Sequence, residues 1–286
     1  MIKNNTAEII KKHGLKLTKA LGQNFLTDYS VVTNIVDASG MDKETLAIEI
    51  GPGVGSMTRE LAARAAGVVA VEIDKRLIPA LNDNLSDYSN VSIINNDIMK
   101  TDIEAIIGEY KEKYNAKSVK VVANLPYYIT TPIIMRFLEE VKGVDKMVFM
   151  VQKEVAERMV SGPGTKDYGA LSVAVQFYSV PKILFDVPPH CFIPQPEVHS
   201  TIIGLDILNE PPVEVLDRKL YFKIVKASFG QRRKTLVNAL SNSGFFNKNK
   251  EQIKKVLEKM GLNENIRGEV LTVAKFAELS NLLMQD

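Results

Sequence analysis

Four consecutive residues, Asn124-Leu125-Pro126-Tyr127, have the types needed to hold a nucleobase that carries an amino group. They follow residues 119–123, a valine-rich run typical of a buried strand in a parallel sheet. Ligands of open α/β sheets bind at the carboxyl ends of the strands, where this stretch would lie. Pro126 restricts its own backbone and that of Leu125, so we expect the segment to be extended and stiff.

Such a segment offers two acceptors and one aromatic face. The Asn124 side-chain oxygen and the Leu125 carbonyl suit the two hydrogens of an exocyclic amine, and a base can stack on Tyr127. The alternative is a strand end followed by an ordinary proline turn, with the tyrosines as rim residues. Four residues alone do not decide between these interpretations.

A second stretch that could bind a ligand is a glycine-rich loop between an apolar run and a helical pattern. Its residues are Glu49-Ile50-Gly51-Pro52-Gly53-Val54-Gly55. Glycines there permit a tight turn and the close approach of a ligand. Glu72 ends the next predicted strand, where a carboxylate can accept both hydroxyls of a ribose. Asp97 ends the third and can accept a hydrogen bond from an adenine amino group. The pattern predicts an adenosine-bearing cofactor.

The details of this loop favour S-adenosylmethionine over a dinucleotide. Its glycines alternate instead of following the dinucleotide spacing, and Pro52 removes one donor that a pyrophosphate would need. Glu49 would repel a pyrophosphate but tolerates a cationic amino-acid group. The alternative is a structural turn that happens to lie beside carboxylates.

The elements that must position these residues alternate between strands and helices from about residue 46 to residue 151. This alternation predicts an α/β fold, with a Rossmann-like parallel sheet covered by helices. After residue 158 a helix and late, antiparallel strands are expected, and Pro211-Pro212 indicates a boundary before a helical region. We expect a catalytic domain over residues 1–207, with a helical extension at 1–45, and a second, helical domain over 208–286.

Composition excludes several classes of protein and site. Cys191 is the single cysteine, so neither an internal disulfide nor a cysteine-based zinc site can form. The three histidines lack metal-ligand spacing, and we predict no metal. No apolar run reaches the length of a membrane span, and residues 1–19 are too polar for a secretory signal, so we expect a cytoplasmic protein.

Charge is uneven although the net charge is only +2. From Asp206 onward the chain carries 14 Lys/Arg against 10 Asp/Glu, an excess that fits a polyanionic partner. We assign phosphate contacts to cations of this region: Lys223, Lys226, Arg232, Arg233 and Lys234. Such contacts orient RNA without reading its sequence. The alternative is an ordinary solvated helix face.

Seven motifs in this order resemble the ribosomal RNA adenine dimethyltransferases, from about Lys16 to the end of the chain. They are residues 22–26, 49–55, 71–74, 96–97, 124–127, 192–200 and 229–236. Singly these motifs are weak, but seven in register are specific. One position departs from the common pattern, since Tyr128 stands where relatives often have Asn.

The resemblance implies S-adenosylmethionine as cofactor and two N6 methylations on each of two adjacent adenosines, in the hairpin near the 3′ end of 16S ribosomal RNA. It implies small-subunit RNA and the 30S pre-ribosomal particle as partners, with residues 208–286 as the RNA-binding domain, and a role in 30S biogenesis. We expect a monomer. Residues at positions that match the family's cofactor contacts, with their sequence neighbours, are expected to bind the cofactor. They are Gln23, Asn24, Leu26, Gly51, Gly53, Gly55, Glu72, Ile73, Asp97, Ile98 and Asn124.

The mechanism that this implies depends on alignment. Adenine N6 is a poor nucleophile, and hydrogen bonds to Asn124 and Leu125 would favour a pyramidal nitrogen aimed at the sulfonium methyl. The base must leave its stack, with Tyr127 on one face and Phe192 closing the other. The alternative interpretation of Phe192 is that its ring packs in the hydrophobic core. The loop at residues 161–169 is either a lid over the base or a plain connector.

Rival functions remain at this point. A large-subunit RNA adenine methyltransferase of the macrolide-resistance type would share the fold and the catalytic stretch, but the helical tail favours the small-subunit enzyme. A DNA adenine methyltransferase lacks support, because no separate target-recognition domain is evident. A ribosome-assembly or transcription factor without chemistry would not need Asn124, Glu72 and Asp97 together.

Overall fold

A computed structural model describes residues 6–15, 24–245 and 248–285 of the chain. Helices and strands alternate in its first half: α1 Thr6–Lys12, β1 Phe25–Leu26, α2 Tyr29–Ser39, β2 Thr45–Ile50, α3 Ser56–Arg64, β3 Gly67–Glu72, α4 Ile78–Asn84, β4 Val91–Asn95, α5 Ile103–Lys113, β5 Ser118–Asn124, α6 Thr130–Glu140 and β6 Lys146–Gln152. The second half contains α7 Lys153–Val160, α8 Ala170–Tyr178, β7 Ser179–Val187, β8 Phe192–Ile193, β9 Ser200–Ile207, α9 Arg218–Gly230, α10 Leu236–Ser241, α11 Lys250–Lys259 and α12 Val273–Gln285.

Seven strands form one sheet in the order β4-β3-β2-β5-β6-β9-β7. The strands from β4 to β6 in this order are parallel, and β9 is antiparallel to β6. The predicted Rossmann-like α/β fold and the late antiparallel strands are confirmed. From β2 the chain continues to β3 and β4 on one side of the sheet, and from β5 it continues to β6 on the other side. The crevice for a ligand therefore opens at the carboxyl ends of β2 and β5, where the strand order reverses.

The central strands β2 and β3 form because most of their residues are apolar. Every residue of β2 and of β3 is buried, as expected for a sheet covered on both faces. The helix α2 begins where its sequence predicts, because the Asp28 carboxylate accepts a hydrogen bond from the Ser30 amide at 2.9 Å. Gly40, with φ of 64°, ends the same helix in the left-handed conformation.

A short second sheet joins distant parts of the chain. The two-residue strands β1 and β8 pair antiparallel, with Phe25 opposite Ile193 and Leu26 opposite Phe192. Neither strand was predicted, because two residues carry no periodicity from which to recognise them. This pairing anchors the segment just before α2 beside the cavity described below.

The chain divides into two compact units, Met1–Ala156 with Lys182–Ile207 and Glu157–Pro181 with Leu208–Asp286. The second unit differs from the predicted domain 208–286, because Glu157–Pro181 joins it instead of the catalytic domain. The reason is apolar burial: Tyr168 and Phe177 are fully buried in a core with Tyr221 and Phe276. In the part of the chain that the structure describes, no helix is both long and apolar enough to cross a membrane.

Candidate active site

A cavity lies at the carboxyl ends of β2, β3 and β5, where the glycine loop, Glu72 and the Asn124 stretch meet. It brings together most of the residues that the sequence selects, namely Asn24, Leu26, Gly51, Gly53, Glu72, Ile73, Asn124, Leu125, Pro126 and Tyr127. Tyr128, at the position that departs from the common pattern, also lines it and is 63% exposed. The predicted cofactor and base residues therefore face one space.

Several predicted residues do not line this cavity. Gly55 is the N-cap of α3 with φ of 87°, and a Cβ atom there would lie 3.2 Å from the Leu81 side chain of α4, so this glycine serves helix packing. Asp97 lies just beyond β4 with one carboxylate oxygen accepting from the Met99 amide at 2.9 Å, and Ile98 is buried. Gln23 lies outside the described residues.

Asn124 is held by its side-chain amide. The Asn124 Nδ2 donates to the backbone carbonyl oxygen of Asn24 at 2.8 Å. Its Oδ1 makes no hydrogen bond within the described chain, and the residue lines the cavity. Because the amide nitrogen is committed to Asn24, the amide presents its oxygen as an acceptor.

The residues after Asn124 are fixed from both sides. Leu125 is buried, and its amide donates to the Met150 carbonyl of β6 at 3.3 Å. Pro126 has φ of −59° and ψ of 130°, the extended conformation that its sequence predicts. The Pro126 carbonyl accepts from the Ile129 amide at 3.1 Å and from the Thr130 hydroxyl at 3.0 Å. The segment is accordingly a stiff rim of the cavity.

Tyr127 is tethered at its hydroxyl. Its oxygen lies 2.8 Å from Ser200 Oγ at the start of β9, which fixes the plane of the ring against the cavity. Burial raises the pKa of the Tyr127 phenol, and the bond to Ser200 opposes that rise. The phenol therefore remains neutral at physiological pH and presents an uncharged face for stacking.

Phe192 is placed differently from the prediction that it closes the second face of a base slot. The ring is only 1% exposed and packs in a cluster with Leu26, Val32 and Ile202. The reason is the β1–β8 pairing, which puts Phe192 opposite Leu26. In this conformation Phe192 is a core residue, the alternative that its sequence context left open.

Glu72 links the glycine loop to the strand beside it. One carboxylate oxygen accepts from the Gly53 amide at 3.2 Å and the other from the Asp74 amide at 2.7 Å. Burial raises the pKa of Glu72, and these two backbone donors oppose the rise. Each oxygen retains acceptor capacity for a ribose hydroxyl, because an ionised carboxylate has about four lone-pair sites.

Three residues that sequence reasoning did not select also shape the cavity. A side chain at Gly53 would approach the Phe25 ring to 2.8 Å, so only glycine allows that ring to lie over the loop. The Thr6 hydroxyl of α1 donates to the Leu26 carbonyl and lies 2.9 Å from Ser56 Oγ. A signal for Phe25 was its place in the motif at residues 22–26, but Thr6 and Ser56 carried none.

The cavity is electrostatically one-sided. It is lined by two carboxyls, Glu49 and Glu72, and by no lysine, arginine or histidine of the described chain. No group of three or more acidic, histidine or cysteine side chains that could hold a metal ion occurs among residues 6–15, 24–245 and 248–285. The cavity therefore favours a cationic or neutral ligand over an anionic one.

The basic residues assigned to RNA contacts lie in the second unit, and the structure distinguishes two kinds. Lys223 and Lys226 are exposed on α9 and, with Lys219, form one face of that helix. Arg233 and Lys234 are exposed in the turn after α9. Arg232 instead donates to the Lys166 carbonyl at 2.8 Å and pairs with Glu269 at 3.4 Å, so it has a structural role within its own unit.

The loop at residues 161–169 is fastened within the second unit. The Gly164 amide donates to the Glu269 carbonyl at 2.8 Å, and the buried Tyr168 hydroxyl donates to the Leu271 carbonyl at 2.8 Å. With the Arg232 bond to Lys166, these contacts hold the loop to the C-terminal helices. Of the two interpretations left open by its sequence, the anchored connector fits better than a lid.

The sequence of the chain matches known proteins over nearly all its length. The profile of the ribosomal RNA adenine dimethylase family matches residues 14–279. A ribosomal RNA small subunit methyltransferase A of Alkaliphilus oremlandii is 53% identical over 278 residues, which cover 97% of this chain and 96% of the relative. The protein of that name from Clostridioides difficile is 49% identical over 280 residues, with 98% and 95% coverage.

Solved structures share the fold. A dimethyladenosine transferase from Plasmodium falciparum superposes with a TM-score of 0.74 at 24% identity, covering 89% of this chain and 95% of the other. The 23S rRNA methyltransferase ErmE superposes with a TM-score of 0.69 at 23% identity, covering 92% of this chain and 100% of the other. At such identities these likenesses support the Rossmann-like methyltransferase fold alone.

Proposed function

The chain belongs to the ribosomal RNA adenine dimethylase family, and from this premise we infer the reaction, the cofactor and the substrate. It is a ribosomal RNA adenine-N6,N6-dimethyltransferase that depends on S-adenosylmethionine. Its RNA is that of the small subunit, in keeping with the activity named for its relatives at about half identity. The large-subunit alternative has only a shared fold in its favour.

The cavity fits S-adenosylmethionine on grounds of its own donors and acceptors. Glu72, hydrogen-bonded to the loop amide of Gly53, is the carboxylate that would receive the ribose hydroxyls. Gly51 has φ of 67° and open space where a side chain would lie, so a ligand can approach the backbone there. The lining carboxyls tolerate a cationic amino-acid group, whereas they would repel the pyrophosphate of a dinucleotide.

The observation that supports the reaction best is the fixed amide of Asn124. Its oxygen and the Leu125 carbonyl would accept the two amino hydrogens of adenine, drawing the N6 lone pair out of conjugation with the ring. When bound, S-adenosylmethionine supplies an electrophilic methyl group on its sulfonium. The chain contributes alignment of the two reactants. Well-oriented reactants react much faster, so no strong base is needed.

Binding of the target adenine requires that the base leaves its stack. Tyr127 provides a flat, tethered ring beside the Asn124 acceptor. Tyr128, exposed at the same rim, offers a second aromatic surface. These rings would offset part of the cost of unstacking, since a base on an aromatic side chain gains about 1–3 kcal/mol.

The finer assignments are proposals as well. The targets are the two adjacent adenosines of the 3′-terminal hairpin of 16S RNA, each methylated twice, and the substrate is a 30S pre-ribosomal particle. The exposed cations on α9 and in the turn after it would contact phosphates of that RNA. The enzyme would act as a monomer in the cytoplasm, with a role in subunit biogenesis.

A transfer assay tests this proposal. The enzyme is incubated with methyl-labelled S-adenosylmethionine and with unmethylated small subunits, large subunits or protein-free small-subunit RNA. We expect label in the small subunit and little in the large one. Label in the large subunit alone would contradict the assigned substrate.

A further inference from the structure

Glu49 is a buried carboxyl in the cofactor cavity to which the reaction above gives no task. It lies near the carboxyl end of β2, is 0% exposed and lines the cavity. Neither of its oxygens has a hydrogen-bond partner among the residues that the structure describes. Buried carboxyls are otherwise almost always paired or hydrogen-bonded, so this exception calls for a physical explanation.

The surroundings of Glu49 offer little to stabilise its charge. In register beside it are Ala70 of β3 and Val122 of β5, both apolar. The Thr58 hydroxyl of α3 is also buried without a hydrogen-bond partner among the described residues. It lies close enough to stabilise the ionised form of Glu49 in part. Of the titratable residues that line the cavity, Glu72 repels the charge of Glu49, and Tyr127, whose pKa is raised by burial, carries no charge at neutral pH.

These surroundings set the protonation state of the empty site. Burial, with a smaller contribution from Glu72, raises the pKa of Glu49 from 4.5 to about 8, although the Thr58 hydroxyl opposes the rise. At neutral pH the carboxyl is therefore predominantly a neutral acid. A positive charge placed beside it would favour the ionised form and displace the proton.

We propose that Glu49 is the counter-charge for the cationic methionine half of S-adenosylmethionine, and that it releases its proton to solvent when the cofactor binds. The proposal rests on S-adenosylmethionine being the cofactor. The proposal explains why Glu49 has no hydrogen-bond partner among the described residues, because the bound cofactor would be that partner. It also explains why the cavity is lined by a second acid beyond Glu72 and by no cation in the described chain.

The consequence is that cofactor affinity depends on pH. Because the ionised form of Glu49 binds the cationic ligand, affinity rises with pH up to the pKa of the free site, about 8, and then levels off. Between pH 6.5 and pH 8 we expect a gain of about fifteenfold, because the ionised fraction of Glu49 rises by that factor. 5′-Methylthioadenosine keeps the adenosine and the sulfur but has no charge, so its affinity should not depend on Glu49.

The test is calorimetry at pH 7 in buffers of different ionisation enthalpy, which counts the protons released on binding. Wild type and Glu49→Gln, which mimics the neutral acid, are titrated with S-adenosylmethionine, S-adenosylhomocysteine and 5′-methylthioadenosine. We expect wild type to release close to one proton when S-adenosylmethionine binds. Glu49→Gln should release none with the same ligand, and wild type should release none with 5′-methylthioadenosine. Release with S-adenosylhomocysteine assigns the effect to the ammonium group, and its absence assigns it to the sulfonium.

Equal proton release by wild type and Glu49→Gln, or none by wild type, would overturn the proposal. Thermal unfolding of both proteins shows that the variant is folded. Methyl transfer to small subunits is measured on the same wild-type preparation: transfer without linked proton release removes only the role of Glu49. Failure of wild type to bind S-adenosylmethionine at all would remove the proposed function as well.

Discussion

The side-chain nitrogen of Asn124 donates to the backbone carbonyl of Asn24 at 2.8 Å, although 100 positions separate the two residues in sequence. An amide held through its nitrogen has its oxygen direction fixed before any substrate arrives. The N-terminal segment thus sets the acceptor that the adenine amine would meet, and β1 pairing with β8 holds that segment in place. Preorganisation of this kind is the basis of the proposed catalysis.

Glu72 is predicted to dominate recognition of the ribose. Glu72→Gln keeps the shape of the side chain but removes its charge and replaces one acceptor with a donor. Since hydrogen bonds to a charged group contribute about 1.5–3 kcal/mol, affinity for S-adenosylmethionine should fall about tenfold to a hundredfold. Titration calorimetry measures this, with thermal unfolding as the control for folding. An unchanged dissociation constant would rule out the ribose contact.

Phe192 allows packing to be separated from base contact. Because the ring is buried with Leu26 and Val32, Phe192→Ala should lower the free energy of unfolding by about 3–5 kcal/mol, and Phe192→Leu by less. If packing is its task, the folded Leu variant methylates small subunits at nearly the wild-type rate. Urea unfolding and a methyl-transfer assay measure the two effects. A stable Leu variant that has lost activity a hundredfold would show that the ring meets the base.

The exposed lysines of α9 are predicted to neutralise RNA phosphates. For Lys223→Ala combined with Lys226→Ala, the slope of log affinity against log salt should flatten by roughly 1.5, since each phosphate contact contributes about 0.7–0.9. The matched control replaces Lys250 and Lys255, two exposed lysines of α11. Binding to small-subunit RNA is measured across salt concentrations. The same slope in both double variants would remove this face of α9 from the interface.

Arg232 is unsuitable for that experiment, although it belongs to the same basic segment. Its guanidinium donates to the Lys166 carbonyl and pairs with Glu269, so its loss would loosen the 161–169 loop as well as remove a charge. Arg233 and Lys234, which are exposed, are the better probes of the turn after α9.

Stability should depend on pH through Glu49. Its pKa is about 8 in the folded protein and 4.5 ordinarily, so the native state holds a proton that the unfolded chain has lost. The contribution of Glu49 to the free energy of unfolding is therefore largest below about pH 4.5 and is lost progressively as the pH rises to about 8. Urea unfolding of wild type and Glu49→Gln at pH 5.5 and pH 8 should show the variant gaining relative stability at pH 8. Parallel behaviour of the two proteins would contradict a buried neutral acid.

Much of the fold was predictable because local patterns carried it. The alternation of apolar strands with amphipathic helices fixed the Rossmann-like sheet, and Asp28 marked the start of α2 correctly. The strand-end positions of Glu72 and Asn124 brought them to one edge, as parallel topology requires. The glycine loop was recognisable because its backbone needs positive φ at Gly51 and Gly53.

What escaped prediction depends on contacts between distant residues. Phe192 shares its apolar cluster with residues of the 26–36 segment and with Ile202, and the helix α1 reaches the cavity through Thr6. No local sequence pattern indicates either. Glu157–Pro181 joins the helical unit because Tyr168 and Phe177 find an aromatic core there, which their own sequence neighbourhood does not specify. The missing partner of Glu49 could be seen only once the strands on either side were known to be apolar.

The most direct test of the central claim maps the methylated nucleotides made by wild type and by Asn124→Ala. Unmethylated small subunits are incubated with S-adenosylmethionine, and the RNA is digested and sequenced by mass spectrometry, with cofactor affinity measured for both proteins. We expect wild type to produce N6,N6-dimethyladenosine at the two adjacent positions of the 3′-terminal hairpin. Asn124→Ala should lose about a hundredfold in rate, because the adenine amine is no longer aligned, while cofactor affinity changes little. Full dimethylation by Asn124→Ala, or modification elsewhere by wild type, would contradict the account.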